Sequence, residues 1–237
     1  MIIQTKDEEK RAYFLAYNDL VMGKLENFLS GTRILEEIES PINGKLTVVS
    51  DLAWGVHIKG GGLTQSGGVA EKVWHTSLKE AKKIKKNVKA CLVLGLGGGG
   101  VLRAIKRFWP KSVITGVEID PIMIKLGTKH MKLEESGAEI VIGDAMKFVK
   151  EQIEKKKKYD LILIDMYVGD TIPGKFVTPA FYTLIKKLLE KDGTTVVNRL
   201  YYGEKRKLSD KTLQDLKDIF SKIIPVYPEA NVMFICS

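Results

Sequence analysis

The fold is decided by the segment Ala90-CLVLGLGGGG-Val101, in which an apolar run ends in a turn made almost entirely of glycine. A short apolar run bounded by glycines is typical of a buried strand, a tight turn and the start of a helix. Gly95–Gly100 fits the pattern G-x-G-x-x-G, which brings backbone N–H groups close to a ligand. Nicotinamide, flavin and S-adenosylmethionine proteins share this pattern, and a tight turn in some other α/β protein is an open alternative.

Acidic residues end the next three apolar runs. These acids are Glu118, Asp144 and Asp165. In a doubly wound sheet, ligands bind outside the carboxyl ends of the strands, so we expect the glycine turn and the three acids to surround one crevice. For Asp144, which precedes a predicted helix, an N-cap is the alternative role.

The spacing of these residues favours a nucleoside ligand. Glu118 lies 23 residues after Gly95, close to the distance expected of an acid that binds ribose hydroxyls. Asp144 is placed to accept from an adenine amino group, and the glycine turn to pack against the ribose and a methionine tail. We therefore expect S-adenosylmethionine, or a relative of it, as the cofactor. The turn residues assigned to this cofactor are Gly95, Gly97, Gly98 and Gly99.

Length and composition predict an ordinary globular protein. The chain has 237 residues and is 44% hydrophobic, enough for one large domain with a small addition. Its apolar runs are strand-length, and Lys6–Arg11 is charged, so we expect a cytoplasmic protein with no membrane partner. Cys91 and Cys236 lack metal-ligand spacing and are interpreted as buried hydrophobes, with no metal site.

The net charge of +9 leaves a nucleic-acid partner open. Lysines cluster in Lys79–Asn87 and Glu154–Tyr159, without interleaved aromatic residues. This pattern favours solvated lysine faces over a nucleic-acid footprint.

Three parts follow one another along the chain. Residues 1–30 are predicted to form an amphipathic helix that covers the protein body or a second subunit. Residues 31–69 read as a small antiparallel β-domain with a hairpin turn at Asn43-Gly44. Residues 70–237 alternate helices and strands, which predicts a mostly parallel sheet with helices on both faces and a terminal antiparallel hairpin.

The order of these segments resembles the spermidine synthase family. The segments that carry the resemblance are Gly62–Thr76, Leu94–Gly100, Val117–Asp120, Ile142–Ala145, Tyr159–Asp165 and Asp192–Asn198. The resemblance covers roughly residues 33–237. It implies a Rossmann-like class I S-adenosylmethionine methyltransferase fold, with a seven-stranded, mostly parallel sheet, an antiparallel last strand and an N-terminal β-domain. It also implies a homodimer or larger assembly.

The resemblance assigns roles to several residues and shows one departure in the glycine turn. Glu118 would hold the ribose, Asp144 with Ala145 the adenine, and Gln65 the cofactor or substrate from a lid before the helix. The family carries an acid where this chain has Gly98. Such an acid pairs with the aminopropyl ammonium of decarboxylated S-adenosylmethionine and repels the carboxylate of the intact cofactor. Gly98 therefore favours intact S-adenosylmethionine.

A second departure follows the fourth core strand. In the family this loop carries two acids that activate and bind a polyamine. Here Asp165 is kept, Val168 replaces the second acid, and Asp170 is displaced by two residues. The helix segment before the glycine turn keeps only Glu71 of two family acids. Because a dicationic polyamine needs closely spaced carboxylates, this groove is less suited to one.

The loop Asp165–Pro173, with Thr178–Ile185 and Val197-Asn198, resembles the methyltransferase branch of this family. The resemblance implies transfer of a methyl group to a small or flexible acceptor, and we expect Asp165 to be the catalytic base. Candidate acceptor contacts are Glu71, His75, Tyr167, Asp170 and Tyr201. Ordering of the loop is the alternative role for Asp165, and structural packing is the alternative for the histidine and the tyrosines. Two other functions stay open. One is a polyamine aminopropyltransferase using decarboxylated S-adenosylmethionine, and the other is a non-catalytic binding protein on the same fold.

Overall fold

The computed structural model describes residues 31–237, which form two sheets. The predicted N-terminal helix lies outside these residues and stays a prediction. The predicted homo-oligomer also stays a prediction. The first sheet is antiparallel, with its strands in chain order. Its strands are β1 (Arg33–Ser40), β2 (Gly44–Asp51), β3 (Gly55–Gly60) and β4 (Leu63–Gly67).

The small sheet has one face against the larger body. Leu46, Val48 and Ile58 are fully buried and pack against Met123 and Leu126 of a helix in the second body. The predicted hairpin turn joins β1 to β2, and Gly44 adopts the positive φ of 66° that such a turn requires. The sheet is thereby fixed over the main body.

The second body contains six α-helices, two short 3-10 helices and seven strands among the described residues. The helices are α1 (Gly68–Ile84), α2 (Gly100–Phe108), α3 (Pro121–Met131), α4 (Ala145–Glu154), α5 (Pro179–Leu188) and α6 (Lys205–Lys217). The strands are β5 (Ala90–Leu94), β6 (Val113–Glu118), β7 (Glu139–Ile142), β8 (Tyr159–Ile164), β9 (Leu189–Leu200), β10 (Ile223–Val226) and β11 (Asn231–Cys236).

These seven strands form one sheet in the order β10-β11-β9-β8-β5-β6-β7. Strands β7, β6, β5, β8 and β9 are parallel, and β11 lies antiparallel between β9 and β10. Successive side chains of β5 point to opposite faces of the sheet and pack into two hydrophobic cores. Leu92 and Leu94 face one layer of helices, and Cys91 and Val93 face the other. The predicted Rossmann-like fold, the antiparallel last strand and the N-terminal sheet are confirmed.

Gln65, which the resemblance places in a lid, lies in strand β4, although the polar residues Thr64, Gln65 and Ser66 between glycines look like a loop in the sequence. Strand β9 begins at Leu189, and an irregularity in its pairing with β8 accommodates Asp192-Gly193. The small sheet ends at Gly67, and helix α1 begins at Gly68. The predicted division into domains stays a prediction.

Within residues 31–237, no helix combines the length and apolar character needed to span a membrane. The same residues contain no cluster of His, Cys, Asp and Glu arranged to hold a metal ion. Cys91 and Cys236 are buried free thiols.

Candidate active site

A cavity of about 190 Å³ opens at the carboxyl ends of the parallel strands. Strand β4 and helix α1 form one wall, and the tips of β5, β6, β8 and β9 form its floor. The turn between β10 and β11 closes the remaining side. Residues that line it from these elements include Gln65, Trp74, Gly97, Glu118, Asp165 and Asn231.

The glycine turn and Glu118 form one hydrogen-bonded unit. Gly95 has a φ of 83°, and a Cβ atom there would lie 2.0 Å from the carbonyl oxygen of Asp165, so only glycine fits. The backbone N–H of Gly97 donates to Oε2 of Glu118 at 2.7 Å, and that of Asp120 donates to Oε1 at 2.9 Å. Glu118 is only 7% exposed, and burial raises the pKa of its carboxyl. The acid assigned to the ribose therefore also braces the turn.

Asp165 sits at the tip of β8 within a chain of neutral donors. The indole N–H of Trp74 donates to its Oδ2 at 2.9 Å, and the side-chain amide of Asn198 donates to Oδ1 at 2.8 Å. Asn231 in turn donates to the side-chain oxygen of Asn198 at 2.8 Å. Burial raises the pKa of the Asp165 carboxyl, while the bonds from Trp74 and Asn198 act in the opposite direction. The network fixes the orientation of this carboxylate.

Two further acids line the cavity, and each has a cationic partner. Glu71 accepts from Nε of Arg103 at 3.1 Å, and Glu229 pairs with Nζ of Lys72 at 2.6 Å. Among the described cavity residues, Asp165 is therefore the one carboxylate besides Glu118 that has no cation within ion-pair distance.

Gln65 and Ser66 join the small sheet to the cavity. The Gln65 amide donates to the carbonyl oxygens of Gly60 and Gly169 at 2.9 and 3.0 Å. The hydroxyl of Ser66 accepts from the backbone N–H of Gly100 at 3.1 Å and so satisfies the first turn of α2. Gln65 lines the cavity, its amide N–H groups hold the β3–β4 turn against the loop after β8, and its role toward cofactor or substrate stays a prediction.

Gly98 and Gly99 serve packing instead of lining the cavity. A Cβ atom at Gly98 would lie 2.6 Å from Cδ1 of Ile58 and 3.0 Å from the sulfur of Met131. A Cβ atom at Gly99 would lie 2.4 Å from a methyl carbon of Leu133. Where the family carries an acid, this chain fills the space with side chains of β3 and α3.

Asp144 and Ala145 lie beyond the cavity lining. Asp144 caps α4 by accepting from the backbone N–H of Lys147 at 3.0 Å, and its other oxygen accepts from Lys175. Burial opposes ionisation, but the bonds from Lys175 and Lys147 outweigh it and lower the pKa of Asp144. The capping role is thus observed, and the adenine role stays a prediction.

Only two of the candidate acceptor contacts reach the cavity, Glu71 and Tyr167. The Tyr167 hydroxyl accepts from the backbone N–H of Leu200 at 2.8 Å, and burial raises the pKa of this phenol. The structure does not bring the other three there. His75 packs on Phe108 with ring centroids 5.1 Å apart.

Asp170 and Tyr201 have partners of their own outside the cavity. Asp170 forms an ion pair with Lys205 at 2.8 Å, and the hydrogen bond from Lys205 holds the pKa of Asp170 below its usual value. Tyr201 packs on Tyr227 with ring centroids 5.2 Å apart.

Sequence reasoning gave no role to four residues of the site, which are Trp74, Asn198, Glu229 and Asn231. Asn198 lies near the end of β9, where a polar residue at a strand tip is the same signal that identified the acids. Glu229 and Asn231 arrive through the antiparallel pairing of β11 with β9, which places the terminal hairpin beside the cavity. No local pattern marks those two positions.

The model of the spermine/spermidine synthase domain matches residues 68–237. The polyamine aminopropyltransferase of Clostridium botulinum (strain Eklund 17B / Type B) is 32% identical, over 62% of this chain and 56% of that protein. The chain spans between about a third and a little over half of the first curated relatives it matches.

Two solved structures share the fold. Human methyltransferase-like protein 13 in complex with SAH superposes with a TM-score of 0.57 at 25% identity, covering 71% of this chain and 81% of that one. A spermidine synthase in complex with the transition state analogue AdoDATO superposes with a TM-score of 0.71 at 21% identity, covering 86% of this chain and 72% of that one.

Proposed function

The chain belongs to the spermine/spermidine synthase family, and from that premise we propose that it transfers the methyl group of S-adenosylmethionine to a single amine of a small or flexible acceptor. The observation that carries this proposal is the set of carboxylates in the cavity. Asp165 is oriented by Trp74 and Asn198 and forms no ion pair, whereas Glu71 and Glu229 each form one. One free carboxylate suits one amine.

The residues around the glycine turn fit an S-adenosylmethionine-type cofactor. The carboxylate of Glu118 at the tip of β6 lies against the glycine turn and accepts one backbone N–H at each oxygen. The lone pairs that remain on these oxygens are the acceptors that ribose hydroxyls require. Ile119 follows β6 and is 43% exposed, and Ile142 ends the neighbouring strand β7 and is 55% exposed. These two side chains offer apolar surface to a flat base. We assign Glu118 to the ribose and keep Asp144 as the candidate for the adenine amino group.

When bound, the cofactor supplies a methyl group on a sulfonium, which is already a good leaving group. The protein therefore needs to align the acceptor and remove its proton. Asp165 would accept that proton, and the raised pKa caused by burial makes it a better base than an exposed aspartate. Trp74 and Asn198 hold both carboxylate oxygens in place during this step.

The packing at Gly98 supports intact S-adenosylmethionine as the cofactor form. An acid at this position would be available to an aminopropyl ammonium, and here Ile58 and Met131 occupy the space that its Cβ would need. Position 98 then carries no acid that would oppose the carboxylate of the intact cofactor.

The alternative is aminopropyl transfer from decarboxylated S-adenosylmethionine to a polyamine. It is favoured by the aminopropyltransferase name of the Clostridium botulinum relative and by Glu71 and Glu229 at the cavity wall. In that case the ion pairs of Glu71 and Glu229 would have to open to receive a diamine.

Calorimetric titration separates the two activities at the binding step. We expect intact S-adenosylmethionine to bind more tightly than the decarboxylated form. Mass spectrometry of a primary-amine probe such as putrescine or a lysine peptide then identifies the product as methylated or aminopropylated. Tighter binding of the decarboxylated form with an aminopropylated product would establish the alternative, and binding of neither form would exclude both.

A further inference from the structure

The amino ends of three neighbouring strands carry a dense group of lysines, on the edge of the sheet opposite the cavity. We name this the amino-edge lysine surface. It consists of Lys86 and Lys89 before β5, Lys111 before β6, and Lys155–Lys158 before β8. All of these side chains are exposed. Since β8, β5 and β6 are adjacent, parallel and nearly in register, their preceding segments lie side by side.

Hydrogen bonds hold the three segments together. The carboxylate of Asp160 accepts from the backbone N–H groups of Lys89 and Ala90 at 2.8 and 3.0 Å, which joins the start of β8 to that of β5. The backbone N–H of Val113 donates to the carbonyl oxygen of Lys89 at 2.7 Å, which joins β6 to β5. The lysines are therefore presented on a fixed framework.

The lysines of this surface form no ion pairs in the described part of the chain. Asp160 pairs with Lys85 at 3.1 Å, and among the described residues no acid forms an ion pair with any lysine of the surface. The lysines around the cavity mouth differ, because Lys72 pairs with Glu229 at 2.6 Å and Lys205 with Asp170 at 2.8 Å. Lys175 likewise pairs with Asp144. The seven lysines of the edge therefore differ from these three lysines near the cavity mouth, which are held in ion pairs.

Helix stabilisation does not account for this arrangement. Cations in the last turn of a helix interact favourably with its carboxyl end, and Lys82 and Lys83 of α1 and Lys106 of α2 have that position. Lys155 is the C-cap residue of α4, and the other six lysines of the amino-edge surface lie beyond the helix ends, in the connections to the strands. Their mutual repulsion is a cost that a polyanionic partner would remove.

We propose that the amino-edge lysine surface binds the phosphate backbone of a double-helical nucleic acid. Two inter-strand spacings make the row about 10 Å long, and each strand of a duplex carries roughly three phosphate charges over that length. The surface presents seven ammonium groups. The row therefore has enough charge to contact the phosphates of both strands.

The neighbouring side chains favour a duplex over other polyanions. Among the described residues, Val113 is the large hydrophobic side chain exposed at this edge, at 69%, and no exposed aromatic ring accompanies the lysines. Single strands are bound by stacking bases on aromatic rings, and a membrane surface by inserting apolar side chains. A duplex backbone requires neither. Because the cavity opens at the opposite edge of the sheet, a bound duplex leaves it accessible.

Fluorescence anisotropy with a short double-stranded RNA, and with a DNA duplex of the same sequence, tests the proposal. The wild-type protein should bind with a strong salt dependence. The triple variant Lys86→Glu, Lys155→Glu, Lys157→Glu should bind roughly 100-fold more weakly at 0.1 M salt, with a salt slope shallower by about 2 to 3. The relative affinity for the RNA and DNA duplexes identifies the nucleic acid preferred.

The matched control is Lys45→Glu, Lys207→Glu, Lys211→Glu, which makes the same charge change at exposed positions away from this edge. It should retain affinity within about threefold. If the edge triple variant does not fold, the same three positions changed to glutamine should give a smaller loss in the same direction. Absence of duplex binding by the wild type, or equal weakening in both triple variants, would overturn the proposal. Binding only to phosphatidylserine-containing vesicles would overturn it as well.

Discussion

The indole N–H of Trp74 donates a hydrogen bond of 2.9 Å to Oδ2 of Asp165, and so links helix α1 to the tip of β8. Trp74 is 3% exposed, and the bond to Asp165 satisfies the donor of this nearly buried ring. This contact determines both the position of the candidate base and part of its acidity.

Replacing Trp74 by phenylalanine should move the pH dependence of activity. The hydrogen bond from Trp74 lowers the pKa of Asp165 against the effect of burial, so its loss raises that pKa further. A base must be ionised to accept a proton, so the acidic limb of the kcat profile should move to higher pH in Trp74→Phe. An unchanged profile, with kcat reduced equally at every pH, would assign Trp74 to packing alone.

Replacing Asp165 by asparagine should remove the proton acceptor. We expect kcat to fall roughly 10²- to 10⁴-fold, while the cofactor dissociation constant changes little. The matched control is Asp170→Asn, the same chemical change in the same loop, at a side chain that pairs with Lys205 outside the cavity. Equal losses in the two variants would show that the loop, and not the Asp165 carboxylate, is required.

Replacing Glu118 by alanine should weaken both the cofactor site and the fold. Two backbone N–H groups lose their acceptor, which should lower the free energy of unfolding by about 1–3 kcal/mol. Loss of the bonds to the ribose should raise the cofactor dissociation constant roughly 10- to 100-fold. Glu118→Gln, which keeps one acceptor oxygen, should lose less of both in denaturation and calorimetry. If Glu118→Ala keeps full cofactor affinity, the role of Glu118 is limited to accepting the two backbone hydrogen bonds that hold the turn.

The stability of the contact between the small sheet and α3 should depend on pH. Glu36 of β1 accepts from His130 at 2.6 Å and from Lys129 at 2.9 Å, and these bonds lower its pKa from 4.5 to about 2. A carboxyl with a lowered folded-state pKa stabilises the fold above its unfolded pKa, and this stability is lost as the pH falls through the folded value.

Wild type should therefore have a higher Tm than Glu36→Gln at pH 7, and the difference should shrink between pH 4.5 and about 2. Thermal unfolding followed by circular dichroism measures it. Glu39→Gln on the same strand is the control, and a pH-independent difference for Glu36→Gln would contradict the ionic origin.

Much of the architecture was determined by local sequence. The apolar run Ala90–Leu94 with its glycine turn, the hairpin turn before β2, and the alternation of helices and strands predicted the two sheets and the site at the carboxyl edge. These features depend on backbone conformations that only certain residues allow and on the period at which apolar residues recur. Each of these features can therefore be predicted from a single segment of the sequence.

Tertiary structure alone decided which polar groups meet. Asp165, Trp74 and Asn198 are far apart in sequence and come together because β8 and β9 are neighbours and α1 packs beside them. The engagement of Asp144 by Lys175, the space at Gly98 taken by Ile58, and the grouping of lysines at one edge depend in the same way on strand order. Side-chain identity shows what a residue is able to do, and long-range packing selects its partner.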